Sequence, residues 1–133
     1  SCRTEYYREG SLDSQEARML AGELLTLDDP PTAIFAYSDT QAIGVLEAAR
    51  DFGLHVPTDL SVVGYDDIEA AQFVHLTTVR QSLFDSGVIG ARLLLDIMEQ
   101  PLLDPQEISL PTELVIRSST AEPANIPFSS DSV

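Results

Sequence analysis

The chain has 133 residues, 44% of them hydrophobic, with 22 Asp+Glu against 7 Lys+Arg and a net charge of −15. That length accommodates one small domain with a core and excludes two full ones. The charge opposes direct contact with nucleic-acid backbones or anionic membranes, and since every basic residue is arginine, P-loop, Schiff-base and kinase lysine chemistry is excluded. A single cysteine, Cys2, permits neither an internal disulfide nor a cysteine-based metal site. No run approaches the roughly 18 apolar residues of a membrane span, and the polar start does not read as a signal peptide, so a soluble, cytoplasmic protein is expected.

The first predicted element is a possible strand over residues 3–8. Residues 11–27 follow as a helix, with Ala17, Leu20, Ala21, Leu24 and Leu27 on one face and Asp13 and Glu16 at capping-box spacing. Asp28-Asp29-Pro30-Pro31 ends it, because proline lacks an N–H donor and disfavours helical geometry before it. The unbroken apolar run 33–37 predicts a parallel strand buried on both faces. Ser38 and Gln41 repeat the capping spacing before a helix to about Phe52, with Ile43, Leu46, Ala49 and Phe52 inward and Gly53 as its left-handed stop. Residues 61–65 predict a second buried strand running into Asp66-Asp67-Ile68-Glu69, and 77–81 a third, more polar one. A long helix over 83–99 carries Val88, Ala91, Leu94, Leu95 and Met98 on one stripe, and two short β-like pieces follow at 107–110 and 114–118. Residues 121–133, rich in Ser, Pro and acid, read as a flexible tail after a domain over 1–120.

Strands alternating with helices of this length predict an α/β fold with a mainly parallel sheet flanked by helices. Such sheets bind ligands beyond the carboxyl ends of their strands, here at Ser38-Asp39, Asp66-Asp67 and Arg80-Gln81. Asp66, Asp67 and Glu69 carry the oxygen ligands a hard cation needs, but no EF-hand or phosphatase spacing surrounds them. A solvated loop favouring the next helix through its dipole is the preferred reading, with Asp51, Asp59, Asp67 and Glu69 exposed. Ser38 is expected to cap its helix, a role compatible with touching a ligand. His55 and His75 lack metal-binding spacing and read as surface or packing residues. No nucleophile–base–orienter set is present, so neither enzymatic activity nor a cofactor or metal is expected.

Four stretches resemble the effector-binding core of LacI/GalR-family transcriptional regulators. They are Pro31-Thr32-Ala33-Ile34-Phe35-Ala36 with Ser38-Asp39 and Ala42-Ile43-Gly44; Gly53-Leu54 with Val56-Pro57 and Asp59-Leu60-Ser61-Val62-Val63-Gly64-Tyr65-Asp66-Asp67-Ile68; Leu76-Thr77-Thr78-Val79-Arg80-Gln81; and Pro111 with Glu113-Leu114-Val115 and Arg117-Ser118-Ser119-Thr120. The resemblance implies an incomplete periplasmic-binding-protein-like, doubly wound domain, mostly its C-terminal subdomain. It also implies a longer protein whose N-terminal helix-turn-helix contacts operator DNA, with the 83–99 helix crossing to the other subdomain.

Carried over by resemblance, Asp66 matches the acid that hydrogen-bonds sugar hydroxyls. Ser38 stands where the family usually has Asn and offers one hydroxyl in place of an amide. Leu12 falls where relatives often have a stacking aromatic, and Gln81 lies at the subdomain crossing. Asp39 is expected to anchor its helix. Ile43, Leu46 and Phe73 match the homodimer surface. The implied partner is a small, sugar-like effector. A secreted sugar-binding protein of a transport system shares the implied fold and stays open as the alternative.

Overall fold

A computed structural model describes residues 4–100 and 106–123. After a 3₁₀ turn at Thr4–Tyr6, the order is α1 (Ser14–Leu25), β1 (Ala33–Phe35), α2 (Asp39–Asp51), β2 (Ser61–Asp66), α3 (Glu69–Phe73), β3 (Thr77–Gln81), α4 (Leu83–Glu99) and β4 (Thr112–Val115). The strands form one sheet in the order β1-β2-β3-β4, parallel except for the antiparallel β3–β4 pair.

The capping signals act as their spacing predicts. Asp13 accepts from the Glu16 N–H, while the Glu16 carboxylate reaches back to the Ser11 N–H and hydroxyl. Ser38 Oγ accepts from the Gln41 N–H at 3.2 Å, and Gly53 closes α2 at φ +69°. The core joins Ala21 of α1, Ala42, Val45, Ala48 and Ala49 of α2, Val62 of β2, and Leu60 and Leu76. Its small residues let helices approach closely: a Cβ on Gly44 would stand 2.2 Å from the Ser14 carbonyl oxygen.

Four expectations are corrected. Of the predicted 3–8 strand, Thr4–Tyr6 form the 3₁₀ turn and residues 7–8 no regular element, and residues 107–110 form no strand. The 33–37 run is not buried on both faces. Strand β1 lies at the edge of the sheet, its Phe35 is 62% exposed, and only Ile34 and Ala36 join the core side. In α2 the inward stripe is Ala42, Val45 and Ala49 with Gly44 and Ala48, because the helix packs on both α1 and β2; Phe52 is exposed. Helix α4 follows its predicted span, yet none of its residues is buried among the described residues. Of the predicted tail, 124–133 lie outside the described residues.

Candidate functional site

The carboxyl ends of the parallel strands meet around Asp39. This residue, 0% exposed, opens α2, with three residues between it and the end of edge strand β1. Its Oδ1 accepts from the Thr78 hydroxyl of β3 at 2.5 Å and its Oδ2 from the Ile68 N–H at 2.9 Å. The anchoring role expected for Asp39 therefore reaches beyond its own helix, tying α2 to β3 and to the loop after β2. Gly64 leaves the room this needs, since a Cβ there would sit 2.2 Å from Asp39 Oδ1.

That loop carries Asp66 at φ 108° and Asp67 at φ 56°, backbone that side-chain-bearing residues seldom adopt. Asp66 ends β2 and is half-buried, and its Oδ1 accepts from Gln81 Nε2 at 2.7 Å. Two of the sequence-derived contacts are thus in direct bond. Ser38, which precedes Asp39 in the chain, is buried, its hydroxyl oxygen used for capping. Leu12, 61% exposed, stands apart: it lines an apolar groove of about 740 Å³ with Tyr6, Phe35, Tyr37 and Gln41. Gln81 also lines a smaller, polar cavity of about 390 Å³ with Tyr65, Ser82, Ser86 and Glu107. Asp66 and Ser38 line neither.

Asp67 is not the exposed acid that its loop context suggested. Its side chain is 4% exposed and lies between Arg80 Nε at 2.7 Å and Arg117 Nη2 at 2.6 Å. Burial pushes its carboxyl up, but the hydrogen bonds and charges of Arg117 and Arg80 outweigh burial and hold it below the usual carboxylate range. The bond to Asp67 in turn raises Arg80, which also pairs with Glu113 of β4 at 3.0 Å. Asp51, Asp59 and Glu69 are exposed as expected. No single motif announces this network. The available signal was an arginine just beyond β4 facing unpaired acids at another strand's end. Ser119 completes the stitching: its buried hydroxyl accepts from the Thr77 N–H and donates to the Val62 carbonyl.

Among the described residues, no three His, Cys, Asp or Glu side chains converge as a metal-binding group. No described helix is long and apolar enough to cross a membrane. Of the residues matched to a dimer surface, Phe73 is 76% exposed at the end of α3, while Ile43 and Leu46 are half-buried and Leu46 packs against the core.

A mainly parallel sheet with an acid and an amide paired at its carboxyl edge has polar groups where doubly wound α/β proteins bind their ligands. The family model described as "Periplasmic binding protein-like domain" matches residues 2–120. The chain belongs to that family and, within it, to the LacI/GalR transcriptional regulators. It is similar to the probable HTH-type transcriptional repressor ExuR of Bacillus subtilis, at 37% identity over 86% of this chain and 35% of that one. A LacI family transcriptional regulator from Enterococcus faecium with bound ribose superposes with a TM-score of 0.73 at 34% identity, covering 82% of this chain and 40% of that one. A complex of the transcriptional regulator CelR with cellobiose gives a TM-score of 0.83 at 30% identity, over 90% and 37%. The chain spans about a third of the length of the curated relatives it matches, 35% in the case of ExuR.

Proposed function

We propose that the chain is the effector-sensing and dimerisation core of a LacI/GalR-type bacterial transcriptional regulator, binding a small sugar-like molecule in a cleft between two subdomains. The observation that carries this reading is Asp66. It ends a parallel strand at the ligand-binding edge, with Oδ1 committed to Gln81 and Oδ2 without a partner among the described residues. An ionised carboxylate accepts hydroxyl protons and donates none, which suits a polyol. That two regulators similar to this chain hold ribose and cellobiose supports the same ligand class. Gln81, bonded to Asp66, is a further contact, and Ser38 and Leu12 are the other two contacts proposed. The named relatives are repressors, which favours the regulator over a transport protein and makes the expected location cytoplasmic. Operator DNA is the partner of the N-terminal part of the longer protein, not of this acidic segment.

The test is calorimetric titration of the full-length protein with D-ribose and cellobiose. Asp66→Asn turns one acceptor into a donor and is expected to weaken sugar binding by about one to two orders of magnitude. Equal affinities for variant and wild type would place the site elsewhere.

Homodimerisation through Ile43, Leu46 and Phe73 belongs to the same proposal. Helix α4 adds exposed Leu83, Phe84, Leu94, Leu95 and Met98, more apolar surface than a lone chain usually leaves in water. Sedimentation of the 133-residue chain at about 100 µM is therefore expected to show a two-fold dimer; monomer alone would count against it.

A further inference from the structure

We propose that Asp67 is the positioning residue for Asp66: clamped between Arg80 and Arg117, its carboxylate holds the loop after β2 so that Asp66 presents one orientation to the effector. This deepens the reading of Asp66 as an effector contact and rests on it. Three successive residues are tethered to three different parts of the fold. Asp66 is bonded to Gln81 of β3 at 2.7 Å, and Ile68 N–H to Asp39 of α2 at 2.9 Å. Between them Asp67 takes both arginines, at 2.7 and 2.6 Å.

The loop needs such tethers. Asp66 and Asp67 stand at φ 108° and 56°, so an untethered loop would relax toward ordinary backbone and turn the Asp66 side chain with it. Asp67 supplies the two bonds of the set in which both partners are charged, from a side chain only 4% exposed. Its partner Arg117 is itself fixed. Nη1 donates to the Leu76 carbonyl at 2.7 Å, and its backbone N–H donates to Thr77 Oγ1 at 3.0 Å. Arg80 lies on β3 and Arg117 just beyond β4, the two strands that bracket α4 in the chain. Asp67 thereby joins β3 and the segment after β4 to the residue that meets the ligand. An exposed acid whose only role is to start α3 would leave Asp66 unaffected when its charge is removed.

Asp67→Asn removes the charge while keeping a residue that tolerates left-handed backbone. The direct readout is the Gln81 side-chain amide in protein labelled with ¹⁵N-glutamine, assigned by its loss in Gln81→Leu. Val62→Ala, a truncation in the core of β2, serves as the control that lowers stability without touching the clamp. In wild type and Val62→Ala the Gln81 amide proton is expected downfield and slow to exchange. In Asp67→Asn it is expected to move to the position of a free amide. Affinity for D-ribose or cellobiose is expected to fall about tenfold in Asp67→Asn and to stay within about twofold in Val62→Ala. Arg80→Gln, which leaves the Arg117 pair, should give the same amide change in smaller measure and decides the matter if Asp67→Asn does not fold. An unchanged Gln81 amide in the folded clamp variant overturns the proposal. Wild-type protein that binds neither sugar removes the sugar reading, while the amide result still decides whether Asp67 positions Asp66.

Discussion

Gly64→Ala is expected to cost about 4 kcal/mol and to lower the melting temperature of the chain by roughly 15 °C. The new methyl would stand 2.2 Å from Asp39 Oδ1, 2.9 Å from Leu76 Cδ2 and 3.2 Å from Ala42 Cβ. None of these can give way cheaply. Leu76 and Ala42 are core residues, and Asp39 is held from two sides by Thr78 and Ile68. Thermal unfolding followed by circular dichroism measures the effect. A shift of only about 2 °C would mean that the Asp39 carboxylate is free to move, contrary to its bonds.

Asp39→Ala is expected to cost about 3 kcal/mol, because it strands the buried Thr78 hydroxyl and the part-buried Ile68 N–H. Asp39→Asn should cost roughly half as much, since its amide can accept one of the two hydrogen bonds but turns a donor toward the other. The two sites are also coupled. In an Asp39→Ala background the nearest of the three atoms that Gly64→Ala meets is gone, while Leu76 and Ala42 remain, so the double variant should be more stable than the sum of the two costs by about 2 kcal/mol. Simple additivity in chemical denaturation would show that Gly64 is not kept small by Asp39.

Much of this was legible in advance, for local reasons. The helices at Ser14–Leu25 and Asp39–Asp51 begin where Asp13 and Ser38 can accept from the third residue onward, and that chemistry depends on neighbours in the chain. The strand at 61–66 declared itself by an apolar run ending in polar residues and the one at 77–81 by a shorter, more polar β-prone stretch, and at their ends Asp66 and Gln81 meet. Edge and centre were not legible. The run 33–37 has the composition of a strand covered on both sides, but which strand stands at the sheet's margin is a property of the assembled sheet. The stripe on α2 was misjudged for a related reason: two neighbours press on that helix, and small residues serve the closer contact better than Ile43 or Phe52.

The sequence by itself determined the class of fold, the places of its three long helices and central strands, the family, and the acid at the end of β2, because periodicity, capping and motif are carried by residues close together in the chain. The tertiary structure alone decided the fate of the charges. Asp67 and Arg117 are fifty residues apart, Asp39 and Thr78 thirty-nine, and nothing local records such meetings. Of adjacent carboxylates with the same local context, Asp66 was left with an oxygen to offer and Asp67 was shut between two guanidinium groups. That division follows from the backbone turning through positive φ at both residues, which sends consecutive side chains to different neighbours.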